Sequence, residues 1–153
     1  ATGAPDDVLV ATNVLWPLGA AVADAGDSAT IAMLAVKATE LAKTLDAVSR
    51  VVAVCDVLAD IASTSSIDNF AADTAEQWAV EMGLIRIGET VNRISPEVLE
   101  AFPGQPWRKI VAMRNFAAHQ YDDLDPRRVW RTLTVDVPAL RDYLLDTVIP
   151  GLS

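Results

Sequence analysis

The chain of 153 residues has one cysteine and one histidine. A lone Cys55 excludes an intrachain disulfide, and its phase with the apolar residues around it makes it a core residue rather than a nucleophile. A single histidine with no CxxC pair excludes a multi-histidine or thiolate metal site, so neither metal nor cofactor is expected. This cysteine usage fits a reducing compartment, and a cytoplasmic location is the expectation. Long hydrophobic runs are also missing. The longest uncharged stretch, Val8–Ala23, is broken by Asn13, Pro17 and Gly19 and is too short to span a bilayer, so no membrane partner is expected. It has the look of a secretory leader, but Asp6 and Asp7 precede it where such a leader needs basic residues, and secretion is not expected.

Basic residues are scarce in the first half. Residues 1–85 hold 3 Lys/Arg against 12 Asp/Glu, whereas residues 86–153 hold 9 of each, and eight of those nine cations are arginine. A net charge of −9 with a pI near 4.4 argues against broad electrostatic capture of nucleic acid. It leaves room for a local arginine site, because a guanidinium binds phosphate through a planar fork of donors.

What is present is a folding sequence. Hydrophobic residues make up 52% and charged residues 22% of the chain, which is globular composition at a length that buries one core. No strand alternation and no internal repeat occur. Residues 1–37 read as an extension of unknown role, with Met33 a possible natural start, and residues 38–153 as a helical domain. Leu41, Leu45, Val48, Val52, Cys55 and Ala59 recur at helical spacing and predict a long helix over about 38–62. Asp73 and Glu76 form a capping-box pattern that opens a second helix, about 74–94. That helix carries two apolar stripes: Trp78, Met82 and Ile85, continuing to Glu89 and Asn92, and Val80, Leu84, Ile87, Val91 and Ile94. A helix apolar on two sides must be covered twice, by its own bundle and by a second copy of the chain. Ser95-Pro96 and Asp125-Pro126 each pair an N-cap with a first-turn proline and predict helices at about 96–101 and 126–146. The last one shows Val129, Trp130, Leu133, Val137, Leu140 and Leu144 on one face, with Pro138 expected to kink it. Pro150-Gly151 is expected to end the fold. The architecture is an all-α, up-and-down helical bundle.

The chemistry-bearing segment is RNFAAHQY, residues 114–121. If Trp107–Ala118 is one helix, Arg114 lies in the middle of the face made by Trp107, Ile110, Val111 and Ala118. A charge on a buried stripe needs a partner or a ligand, and Glu89 on the preceding long helix is the partner the pattern offers. Tyr121 shares that face and His119 lies at its edge. Arginine with histidine suits RNA cleavage. Histidine takes or gives the proton of a ribose 2′-OH attacking its own phosphate, and the guanidinium clamps the charge that builds on the phosphate oxygens. The nucleophile belongs to the substrate, so no metal is required. DNA, lacking the 2′-OH, is not a substrate. The residues alone favour a different reading, a core salt bridge between Arg114 and Glu89 with His119 and Tyr121 packing or capping the helix end.

The stretches IGETVNRISPE (87–97), PGQPWRKIVAMRNFAAHQYDDLD (103–125) and VWRTLTVDVPALRDYL (129–144) resemble the HepT family of HEPN-domain toxins, and the resemblance runs over residues 44–149. The family motif R-x4-H-x-Y falls on Arg114, His119 and Tyr121, and Asn115 matches the polar residue after the arginine. The resemblance implies a homodimeric bundle of the HEPN type and a toxin endoribonuclease that is independent of metal and leaves a 2′,3′-cyclic phosphate. Arg114 and His119 are then catalytic, and Asn115 orients the phosphate or the histidine. It further implies an MntA-like nucleotidyltransferase antitoxin that AMPylates the motif tyrosine, Tyr121. Two other readings remain open: a non-catalytic HEPN-type accessory subunit that binds nucleotide or RNA for a nucleotidyltransferase, and a purely structural bundle dimer.

Overall fold

The computed structural model describes residues 28–117 and 124–152. Backbone contacts divide the chain into two compact units, Ala1–Leu41 and Ala42–Ser153. In the first unit the described residues, 28–41, are helical and leave Ile31, Met33, Val36 and Leu41 exposed. The helix they belong to, α1 (Ser28–Ser63), starts ten residues before the sequence pattern predicts. No glycine or proline occurs between Gly26 and Gly83, and alanine-rich sequence propagates a helix without needing an apolar stripe.

In the second unit α1 buries Thr44, Val48, Val51, Cys55 and Leu58. The buried seam therefore runs one position round from the predicted stripe. Leu45 and Val52 flank it half-buried, while Leu41 and Ala59 are exposed. Apolar residues on neighbouring faces (Val54 and Val57 among them) made the two registers nearly degenerate in sequence. At the C-terminal end of α1 the Ser63 and Thr64 hydroxyls donate to the Asp60 carbonyl, at 2.7 and 3.3 Å.

Ser66 caps α2 (Ile67–Ala72) by accepting from the Asn69 N–H at 3.2 Å, and α2 buries Phe70 against Trp130, with ring centroids 5.4 Å apart. Asp73 then caps α3 (Thr74–Asn92), accepting from the Glu76 N–H at 3.0 Å. Only half of the predicted capping box forms. The Asp73 N–H already donates to the Phe70 carbonyl, so the Glu76 carboxylate accepts instead from the Ser65 hydroxyl at 2.8 Å. Of the two stripes on α3, the one through Val80, Leu84, Ile87 and Val91 is buried, and Ile94 just beyond the helix joins it.

Ser95 caps α4 (Pro96–Ala101), and a turn at 103–106 leads to α5 (Trp107–Ala112). Asp125 opens α6 (Pro126–Arg131), its carboxylate accepting from the Arg127 N–H at 3.0 Å. The final run continues without a break through a π-helical stretch Thr132–Asp136, α7 (Val137–Tyr143), a second π stretch Leu144–Val148, and α8 (Ile149–Leu152). Each π stretch ends two residues before a proline, at Asp136 before Pro138 and at Val148 before Pro150. Val137 donates to the Thr132 carbonyl and Ile149 to the Leu144 carbonyl, five residues back. A proline in a helix lacks an N–H and its ring collides with the carbonyl four residues back. The wide turn accommodates Pro138 in this way, and it lets the helix pass Pro150, so the helix reaches Leu152 instead of ending before Pro150-Gly151. Val129, Leu133, Val137, Leu140, Leu144 and Val148 face the core, with Trp130 half-buried beside them. Arg141 ties this run to α1 through an ion pair with Asp56. The described residues form an all-α bundle with no strand. No helix among them is long and apolar enough to cross a membrane.

Candidate active site

The site is built on α5, and both of its ends are fixed. At the start, the Trp107 indole N–H donates to the Phe102 carbonyl at 2.7 Å, and the ring tilts against Tyr143 with centroids 6.2 Å apart. The Tyr143 hydroxyl in turn accepts from the Gly104 N–H at 2.9 Å, which holds the preceding turn on the last helical run. At the far end α5 tightens into a 3-10 turn, Met113–Ala117, so the helical spacing expected through Ala118 stops at Met113. That turn and α5 both pack along α3. Gly88 permits the approach. A β-carbon there would lie 2.8 Å from the Arg114 nitrogen, 2.9 Å from the Ile110 carbonyl oxygen and 3.2 Å from that of Val111. All three are backbone atoms that no side-chain rotation would move aside.

Arg114 is thus carried on a 3-10 turn whose backbone is pressed against α3. Its side chain is half-buried, and Asn115 beside it is exposed. Arg114 makes no ion pair among the described residues. The salt bridge to Glu89 does not form: Glu89 is exposed, one position and so 100° round α3 from Gly88, the residue that meets Arg114. The core-pair reading of Arg114 is corrected accordingly. His119 and Tyr121 lie outside the described residues.

Two features of the site region escaped the sequence reading. Gly88 was legible only as a helix-interior glycine, a choice that costs about 1 kcal/mol against alanine and so calls for a reason such as this contact. Glu81 sits buried on the same helix, where burial raises its carboxyl above the ordinary value. Its place next to Met82 on a mixed face gave no sequence signal.

An all-helical bundle that carries an arginine on a clamped turn, five residues in sequence before a histidine, agrees with the HEPN-type domain that the sequence resemblance implies. The chain belongs to the Ribonuclease HepT-like family, which matches residues 42–146. It is 34% identical over 74 residues to a protein described as "probable ribonuclease HepT" from Thermococcus cleftensis, covering 48% of this chain and 67% of the relative. It is 34% identical over 65 residues to a "putative RNase" from Methanocaldococcus jannaschii, covering 42% of this chain and 60% of the relative. A second such protein from that organism is 28% identical over 86 residues, covering 56% of this chain and 71% of the relative. No solved structure matches the chain.

Proposed function

We propose that the chain is a metal-independent endoribonuclease acting as the toxin of a toxin–antitoxin pair. The ribose 2′-OH attacks the adjacent phosphorus and its proton passes to a base. The P–O5′ bond breaks and the departing 5′ oxygen takes a proton, leaving a 2′,3′-cyclic phosphate and a 5′-OH. His119 supplies the proton transfers, and its unperturbed pKa of about 6.5 suits both directions near neutrality. Arg114 clamps the non-bridging oxygens as their charge grows. Asn115, exposed next to it, orients the phosphate or the imidazole. Glu89 has no part as a clamp on Arg114.

The observation that carries this reading is Arg114 itself: a half-buried guanidinium on a fixed turn, with no carboxylate partner among the described residues. A partly desolvated cation with no anionic partner among the described residues is poised for the anion of a ligand. Two further proposals complete the picture. The active form is a homodimer in which two copies of the motif face one cleft, and the exposed apolar face of α3 favours it. A cytoplasmic nucleotidyltransferase antitoxin silences the site by transferring AMP from ATP to the Tyr121 hydroxyl with release of pyrophosphate. The added phosphate places negative charge and bulk where substrate phosphate must bind. Peptide mapping after incubation with such an enzyme and ATP finds the adduct on Tyr121, and an adduct elsewhere refutes that part.

The test of the nuclease is direct. Purified chain in excess chelator, given single-stranded RNA, leaves cyclic-phosphate ends and spares DNA of the same sequence. Arg114→Ala and His119→Ala each lower the rate about 10²-fold or more while the circular dichroism stays helical. Unchanged rates in both variants overturn the assignment. Tight RNA binding without any cut ends favours the accessory-subunit reading.

A further inference from the structure

A groove of about 450 Å³ opens between α5 and the last helical run, on residues that lead directly into Arg114. Its floor is apolar, formed in part by Ile110, Met113 and Leu140. Its exposed charged lining residues are Lys109, Arg131 and Asp136, two cations against one anion in a chain whose net charge is −9. No ion pair among the described residues occupies Lys109, Arg131 or Asp136, so this charge is available to a ligand. Met113 is the chain neighbour of Arg114, about 3.8 Å away between α-carbons. An apolar floor beneath two unpaired cations fits an aromatic body joined to a phosphate, and the acceptor Asp136 suits an exocyclic amine on that body.

We infer that this groove seats a nucleotide of the RNA strand next to the scissile bond, with its base on the floor and its phosphate on Lys109 and Arg131. The inference rests on the ribonuclease reading and adds a binding subsite to it. It also accounts for how an acidic protein holds a polyanion. The −9 resides in residues 1–85, while every residue lining this groove lies in the neutral half. The subsite sets the register of the strand and so acts on binding rather than on the chemical step.

The test uses the full chain and a fluorescent 2′-O-methyl tetranucleotide, which presents the bases and phosphates of RNA and cannot be cut. The double variant Lys109→Ala/Arg131→Ala and the single variant Ala139→Glu, which places a carboxylate at an exposed position of the groove, each bind about tenfold more weakly by anisotropy. The double variant also flattens the dependence of log affinity on log salt by up to about 1.4, as expected for two lost contacts to a single strand. Removing equal charge from exposed α1, with Lys37→Ala/Arg50→Ala, leaves affinity within about twofold. Groove variants that bind like the parent overturn the inference. So do absence of binding in the parent, an equal loss in the α1 control, or competition by free AMP as effective as by unlabelled tetranucleotide. Because the probe is not cut, the two readings fail separately. Groove-dependent binding by a chain that never cleaves RNA keeps the subsite and removes the nuclease. A chain that cleaves RNA with the same KM in parent and groove variants keeps the nuclease and removes the subsite.

Discussion

Glu81 is 7% exposed, and its carboxyl makes no hydrogen bond or ion pair among the described residues. It borders an open apolar hollow of about 340 Å³ with Trp78, Met82 and Ile85. Burial favours the neutral carboxyl and raises its pKa above the ordinary 4.5. The folded state therefore holds this proton more tightly than the unfolded chain does. The stabilising contribution of that proton is complete below about pH 4.5 and is lost as pH rises through the higher, folded-state value. Above that value the ionised, buried carboxylate opposes folding. Glu81→Gln, which mimics the protonated form, raises the melting temperature at pH 7, and the gap between variant and parent narrows toward pH 4. Calorimetry across that range checks it. The difference between the two proteins is the informative quantity, because the other 20 acidic residues are common to both. A gap that widens on acidification sinks the argument. Burial also acts on Cys55, its thiol pushed up to about 12 with Asp56 adding to the effect, as suits a core residue.

At the scale of the helix, Gly88 and Gly83 offer a controlled comparison. Both are interior to α3, and both are closely approached. A β-carbon at Gly88 strikes the backbone of Ile110, Val111 and Arg114, whereas one at Gly83 strikes only the Leu58 side chain, at 2.6 Å from its Cδ2. Overpacking of either kind costs about 1–3 kcal/mol. The consequences for chemistry differ. Gly88→Ala must displace the turn that carries Arg114, and a shift near 1 Å lowers turnover about 10²-fold. Gly83→Ala is destabilised to a similar degree but keeps the activity of each folded molecule. Rates below the melting transition, with KM measured alongside kcat, separate the two, and equal activity in both variants removes the positioning role of Gly88. The sequence made part of this geometry legible. The stripe from Val129 to Leu144 and the caps at Ser95 and Asp125 were readable because period and capping chemistry are local. The 3-10 turn at Met113 was not, because MRNFA contains no helix breaker and its tightening is imposed by contact with α3. The passage of the last run through Pro138 and Pro150 was likewise hidden, since widening a turn answers a steric problem that a hydrophobic pattern does not encode. The pairing of Arg114 with Glu89 was drawn from faces of two ideal helices, and the 3-10 turn together with the Gly88 contact changed which faces meet.

At the scale of the whole molecule, an exposed apolar surface competes with charge. Trp78 is 61%, Met82 52% and Val57 59% exposed. Met82 joins two adjoining hollows, the one beside Glu81 and a second of about 270 Å³ lined in part by Val54, Val57 and Arg86. A patch that continues from α1 onto α3 is what an interface between two copies would cover. A buried tryptophan and methionine contribute about 2–3 kcal/mol each at ~25 cal/mol per Å². Trp78→Asp or Met82→Asp, which add no strain to the monomer core, therefore turn the proposed dimer into monomer by sedimentation at micromolar concentration. The charge distribution adds a second signature. Apart from Arg86 at its edge, the patch lies in residues 53–85, within the half of the chain that carries the whole net charge, so two copies meeting there repel each other through solvent. Salt screens that repulsion over a Debye length of about 10 Å at 0.1 M, and dimer affinity rises between about 0.05 and 0.3 M. RNA binding at arginine-rich residues falls over the same range as counterions return to the phosphates. Opposite salt dependences of self-association and RNA binding in one preparation are the expected result. A dimer that weakens with salt places the contact elsewhere, among the opposite charges of the second half.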